Sequence, residues 1–212
     1  MSIWLSGFLV SSLALAAGNP DISPELALHK FWNSLTFPQV AWIGVILYVV
    51  HYWEERLLLS DWINRYAPTK GLHYTLKKLD GENAIMFGFS LITTLLLNFV
   101  APDNWFLQAA AVGGCVGFLW NTYYHAKPTL QTRVYSPGVV TACLCNPLGS
   151  FFVFLKAYET GILSHWPILV TAAIFPFAML FLSVYISHNI IFKDERQAEN
   201  AGAGAVNGSI TG

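Results

Sequence analysis

The sequence predicts an all-α, multi-pass transmembrane helical bundle, with five core spans and a further N-terminal segment that could form a sixth. Three observations predict it. The chain of 212 residues is 55% hydrophobic and only 11% charged, whereas soluble domains carry about 25% charged residues. Apolar runs of the ~20 residues that cross a hydrocarbon core recur along it. None of these runs shows the alternation, over about ten residues, of a transmembrane β-strand. The length allows one bundle and no separate soluble domain. The net charge is −1, and no basic amphipathic stretch is present, so nucleic acid is not an expected partner.

The elements follow in order. Residues 1–17, MSIWLSGFLVSSLALAA, are apolar. They read either as a short sixth span or as a signal peptide ending in small residues. No Lys or Arg precedes the run, which favours a retained span. Residues 18–37 form a linker on the non-cytoplasmic side, and residues 38–192 form the membrane bundle. Its spans are expected at about 38–59, 82–101, 105–125, 137–158 and 166–192. Pro147 and Pro176 are expected to kink the fourth and fifth spans. Pro137 is expected in the first turn of the fourth, where its missing N–H matters least. Residues 193–212 are small, polar and Gly-rich, which predicts a disordered tail.

Charge gives the orientation. Arg56, Arg65, Lys70, Lys77 and Lys78 fall between the first two spans. Lys127 and Arg133 fall between the third and fourth, and Lys193 and Arg196 follow the fifth. The other connections are nearly free of basic residues. Basic loops on alternate crossings put these segments and the C-terminal tail in the cytoplasm. Asn207 heads a glycosylation sequon in that tail, and this side of the membrane predicts that it stays unmodified. The three cysteines, Cys115, Cys143 and Cys145, lie in apolar segments without metal-type spacing and read as small buried thiols.

Polar residues interrupt this pattern at chosen places. In VILYVVHYWEERLLLS, His51, Glu54 and Glu55 stand at i, i+3 and i+4, on one helix face. A carboxylate facing hydrocarbon costs several kcal/mol, so the face must turn inward or to water. Asn121 and His125, at i and i+4, share a face of the third span. The orientation brings Glu82, Asn83, His188, Asn189, Arg133 and Tyr135 to the same end of the bundle. Glu82 and Asn83 read more simply as helix N-capping, and His188 and Asn189 as an interfacial helix end.

These residues carry a resemblance. HYWEE, then NTYYH, then RVYSPGVVT are similar to the signatures of the H-x-x-E-E family of small integral membrane proteins. The third signature holds Arg133, Tyr135, Pro137, Gly138 and Thr141. The likeness spans roughly residues 38 to 190. It implies a short membrane bundle and no settled activity.

Function must therefore come from chemistry. Two adjacent carboxylates in a low-dielectric site repel, so one is expected to hold a proton beside an ionised partner. His51, Glu54, Glu55 and His125 then form a general acid–base set, with Asn121, Arg133 and Tyr135 to bind and orient a substrate. No cofactor is required. A lipophilic small molecule arriving from the membrane is the expected substrate, and isomerisation, terpene-type cyclisation or epoxide opening the expected reaction classes, as in a biosynthetic pathway. In a second reading His51, Glu55 and His125 hold Zn or Fe, and the protein is a metal-dependent hydrolase or oxidoreductase. In a third, the same residues make a non-catalytic lipid-binding or proton-sensing bundle. Membrane lipids are partners in every reading. Oligomeric state is open.

Overall fold

A computed structural model describes residues 23–65 and 76–191. The expected N-terminal span or signal peptide, the sequon at Asn207 and the C-terminal tail lie outside the described residues. Six α-helices are present among them: α1 (Pro24–Ser34), α2 (Phe37–Arg65), α3 (Leu76–Phe99), α4 (Trp105–Thr132), α5 (Val139–Glu159) and α6 (Trp166–Ile186). A 3₁₀ turn at Ile162–Ser164 precedes α6, and a π-helical turn at Ser187–Ile191 follows it. No strand occurs among the described residues.

Side-chain pairs fix the directions of the five long helices. Asn98 Nδ2 donates to Pro38 O at 2.7 Å, and Tyr48 Oη donates to Asn83 Oδ1 at 2.7 Å, so α2 and α3 are antiparallel. Thr122 bonds the carbonyl of Ala142, Asn146 that of Phe118, and Ser150 that of Cys115. This ladder makes α4 and α5 antiparallel and recurs about once per turn. Gly113 faces Ala172, and Gly117 faces Pro176, so α4 and α6 run parallel. A β-carbon on Gly113 would lie 3.0 Å from the Ala172 carbonyl oxygen, and one on Gly117 3.1 Å from Pro176 Cβ. Absent side chains are what let these helices approach so closely. The up-and-down order gathers the ends of α2, α4 and α6 with the starts of α3 and α5.

The core lies toward the other end, where Phe37, Val40, Leu97, Ala109, Val112, Val153 and Ile168 are nearly inaccessible. There α1 meets α2 at a bend of 102°, so the expected linker holds a helix. Ser23 caps it, with Pro24 at its start. A clasp ties α1 to the end of α5. Trp32 Nε1 donates to both oxygens of Glu159 at 2.9 Å, and Lys156 Nζ donates to Trp32 O at 3.0 Å and pairs with Glu159 at 2.9 Å. The Lys156 ammonium also sits 4.3 Å from the Trp32 ring centroid. Lys156 is buried, and two of its three donors are taken by Trp32 O and Glu159.

Three stretches are long and apolar enough to cross a membrane: Asp80–Phe99, Val139–Glu159 and Trp166–Ile191. The bent pair Glu25–Ser34 and Phe37–Leu57 qualifies as a fourth when taken together. Helix α4 has the length, but Gln108, Asn121 and its glycines dilute its apolarity.

Several expectations are corrected. Helix α3 begins at Leu76, so Glu82 and Asn83 lie in its second turn and cannot cap it. Gly138, at φ +81, precedes α5. A left-handed residue cannot continue into a helix, so Pro137 lies before the helix rather than in its first turn. Of the cysteines only Cys115 is buried, while Cys143 is exposed and Cys145 partly so. Thr141 and Gly149 turn α5 toward α2, and Ala142, Asn146 and Ser150 turn it toward α4, which leaves Cys143 outside. Helix α4 runs beyond His125 and through Pro128 to Thr132.

Candidate functional site

The polar end of the bundle is built around two histidines. His51 comes from α2 and His125 from α4. Both are buried, and their rings stand edge to face with centroids 5.0 Å apart. Helical spacing puts His51, Glu54 and Glu55 on one side of α2, and it does the same for Asn121 and His125 on α4.

Each ring is held from both sides. Asn121 Nδ2 donates to His51 Nε2 at 2.7 Å. His51 Nδ1 lies 3.0 Å from Thr141 Oγ1. With Nε2 accepting, the ring proton sits on Nδ1 and is donated to Thr141. The Thr141 hydroxyl in turn donates to Gly138 O at 3.2 Å. His125 Nδ1 lies 3.2 Å from Ser136 Oγ, and its Nε2 lies 3.8 Å from Glu55 Oε1.

The carboxylates part company. Glu55 points into the bundle, where the side chain of Asn83 bonds it, and Asn83 itself accepts from the buried Tyr48. Buried Glu82 lies near the same group. Glu54 turns to the seam between α2 and α5. Its Oε2 accepts the Thr141 backbone N–H at 2.8 Å, and its Oε1 accepts from Tyr135 Oη. That phenol is pushed up to about 12 by desolvation first and then by the Glu54 hydrogen bond and charge. Tyr135 thus donates, and does not ionise, at any physiological pH.

The connection from α4 to α5 is shaped for this. Arg133 ends α4 at φ 55 and bonds Thr129 O through its N–H. Thr129 Oγ1 donates to His125 O at 3.0 Å and accepts the Ser136 N–H at 3.3 Å, pinning the returning chain over His125. Gly138 closes the site. A β-carbon there would lie 2.8 Å from His51 Cε1 and 3.3 Å from His125 Cε1, at a φ that side chains rarely adopt.

Thus the structure brings together His51, Glu54, Glu55, His125, Asn121 and Tyr135. It does not bring in Arg133, whose side chain is exposed and whose role is that of a helix cap. Arg56 pairs with Asp80 at 3.0 Å, and with neither glutamate. The side chain of His188 lies outside the description. Among the described residues, no group of three or more His, Cys, Asp or Glu is disposed to hold a metal ion.

Tyr48, Asn83, Thr141, Ser136 and Gly138 join the site beyond the expected residues. Thr141 and Gly138 were visible in the R-x-Y-x-P-G-x-x-T signature, but without a role. Tyr48 stands three residues before His51, on its face, which was a usable signal. Ser136 carried none.

Comparison with curated proteins and with solved structures finds no match. The family model of the protein of unknown function with HXXEE motif matches residues 42–153. Those residues hold HYWEE, NTYYH and RVYSPGVVT, and the chain belongs to this HXXEE family.

Proposed function

We propose that the protein is a membrane-embedded enzyme that performs general acid–base chemistry on a lipophilic small molecule. The observation that carries this reading is the edge-to-face pair His51 and His125 set between two glutamates with different surroundings. Glu55 and His125 form the proton-transfer couple, because His125 Nε2 faces Glu55 Oε1 at 3.8 Å while Ser136 holds the other ring nitrogen and Asn83 steadies the carboxylate. His51 is a positioning residue, since both its nitrogens are occupied. Glu54 and Tyr135, at the partly exposed edge, meet the reacting group of the substrate. Double-bond isomerisation, cyclisation begun by protonation and epoxide opening each need one proton donor and one acceptor in a water-poor site, which this pair supplies.

Three apolar helices and the basic loops support a multi-pass membrane protein with this site in its cytoplasmic half. Lipophilic extracts of cells with the wild-type gene, without it, and with Glu55→Gln test the proposal. A precursor should accumulate in the last two and disappear in the first. Identical extracts would overturn it. Metal analysis of the purified protein separates the Zn or Fe reading, which requires stoichiometric metal that Glu55→Gln releases.

A further inference from the structure

The α2–α5 seam has a chemistry of its own. Glu54 is partly exposed there. Each of its oxygens already accepts one hydrogen bond, from Tyr135 and from the Thr141 N–H. An ionised carboxylate has about four acceptor positions, and the Thr141 hydroxyl and the Val140 N–H crowd the inner ones, so a further donor is met at the partly exposed edge. Among the described residues no Lys, Arg or His forms an ion pair with Glu54. The nearby basic groups are engaged or turned away: Arg56 holds Asp80, Arg133 is exposed on the connection, and the rings of His51 and His125, within electrostatic reach of Glu54, bond Asn121, Thr141 and Ser136 instead.

Apolar side chains border this group along both helices. Val50, Trp53 and Leu57 project from α2, and Val140, Leu144 and Leu148 from α5, all exposed. Their spacings, i, i+3, i+7 and i, i+4, i+8, make each set a stripe. The residues that join the two helices, Leu47 against Gly149 and Glu54 with His51 against Thr141, lie beside those stripes. A partly exposed carboxylate thus stands beside an apolar track. A phosphate or carboxylate head would meet like charge there, whereas a donating head would gain a charge-assisted hydrogen bond.

We propose that this seam binds a lipophile whose head group donates hydrogen bonds and carries no negative charge, an amine or an alcohol, with the head on Glu54 and Tyr135 and the tail along the two stripes. The inference rests on the membrane-enzyme reading and names its substrate class. It excludes fatty acids and lipid phosphates as substrates.

The test uses the full chain in lipid nanodiscs and three tetradecyl probes. Each carries a mid-chain diazirine and a terminal alkyne, and they are headed by a primary amine, a hydroxyl or a phosphate. After irradiation, mass spectrometry maps the labelled peptides. The amine and hydroxyl probes should label α2 and α5 around Glu54, and the phosphate probe should not. Glu54→Gln should lower amine labelling of the seam about tenfold, the worth of one charge-assisted bond, while hydroxyl labelling persists and reports an intact fold. Equal seam labelling by the phosphate probe would overturn the proposal, as would amine labelling indifferent to Glu54→Gln. Labelling is read without turnover. Seam labelling in a protein that transforms nothing defeats the enzyme reading alone, and turnover of an anionic lipid defeats this inference alone.

Discussion

The side-chain amide nitrogen of Asn121 lies 2.7 Å from Nε2 of His51, and this one contact fixes the tautomer of a buried imidazole. Nε2 accepts, so Nδ1 carries the proton and passes it toward Thr141. Asn121→Leu should leave Nε2 buried without a donor, at about 1–3 kcal/mol of stability. The ¹⁵N shifts of His51 should then show mixed tautomers. A wild-type Nδ1–H signal in Asn121→Leu would show that Asn121 does not set the ring.

Gly138 and Gly161 offer a matched pair. Both have positive φ, +81 and +75, but a β-carbon at Gly161 meets nothing within 4 Å while one at Gly138 strikes both histidines. Gly161→Ala should show backbone strain alone, about 1–2 kcal/mol. Gly138→Ala should lose more and should also displace His51 and His125. Thermal unfolding of the two variants measures the difference, and equal losses would mean that the histidines move aside freely.

Tyr135 predicts a pH window. Its folded-state pKa, about 12, is raised above the usual 10.0. A raised phenol contributes stability that is complete below pH 10 and is lost as pH climbs from 10 toward 12. The exposure of this residue keeps the effect small. The tyrosinate absorbance difference between wild type and Tyr135→Phe should titrate near the upper value. A midpoint near 10 would remove the bond to Glu54.

Lys156→Met should loosen one helix without melting the bundle. Lys156 joins the Trp32 carbonyl to Glu159, and Glu159 is exposed enough to be hydrated when released. Amide hydrogen exchange should therefore quicken in Pro24–Ser34 and stay slow in α4 and α5. Unchanged protection of α1 would show that its apolar contacts alone hold it.

Topology has its own check. The proposed orientation, with the basic segments and the tail in the cytoplasm, predicts that Asn207 remains without glycan in a eukaryotic membrane. A glycan on Asn207 would invert the bundle and move the site to the other leaflet.

Much of this site was legible in the sequence. The spacings of His51, Glu54 and Glu55, and of Asn121 and His125, fix which residues share a face, since helix geometry is local. The recurrence of apolar runs fixes the all-α class for the same reason. Asn83 was misread because its role depends on where α3 begins, at Leu76, and helix boundaries are poorly marked in sequence. Arg133 was expected to bind substrate because charge and depth suggested it, yet its backbone conformation makes it a cap with an exposed side chain.

The sequence by itself determined the helical class, the polar faces and the family. Only the tertiary structure decided that Glu54 and Glu55, neighbours in the chain, serve different places. About 100° of helical rotation separates them, so Glu54 meets Tyr135 and Thr141 at the α2–α5 seam while Glu55 meets Asn83 and His125 inside. A residue's partners across the bundle depend on which helices pack together and in what register, and those follow from close contacts such as Gly149 against Leu47 and Gly138 against His51.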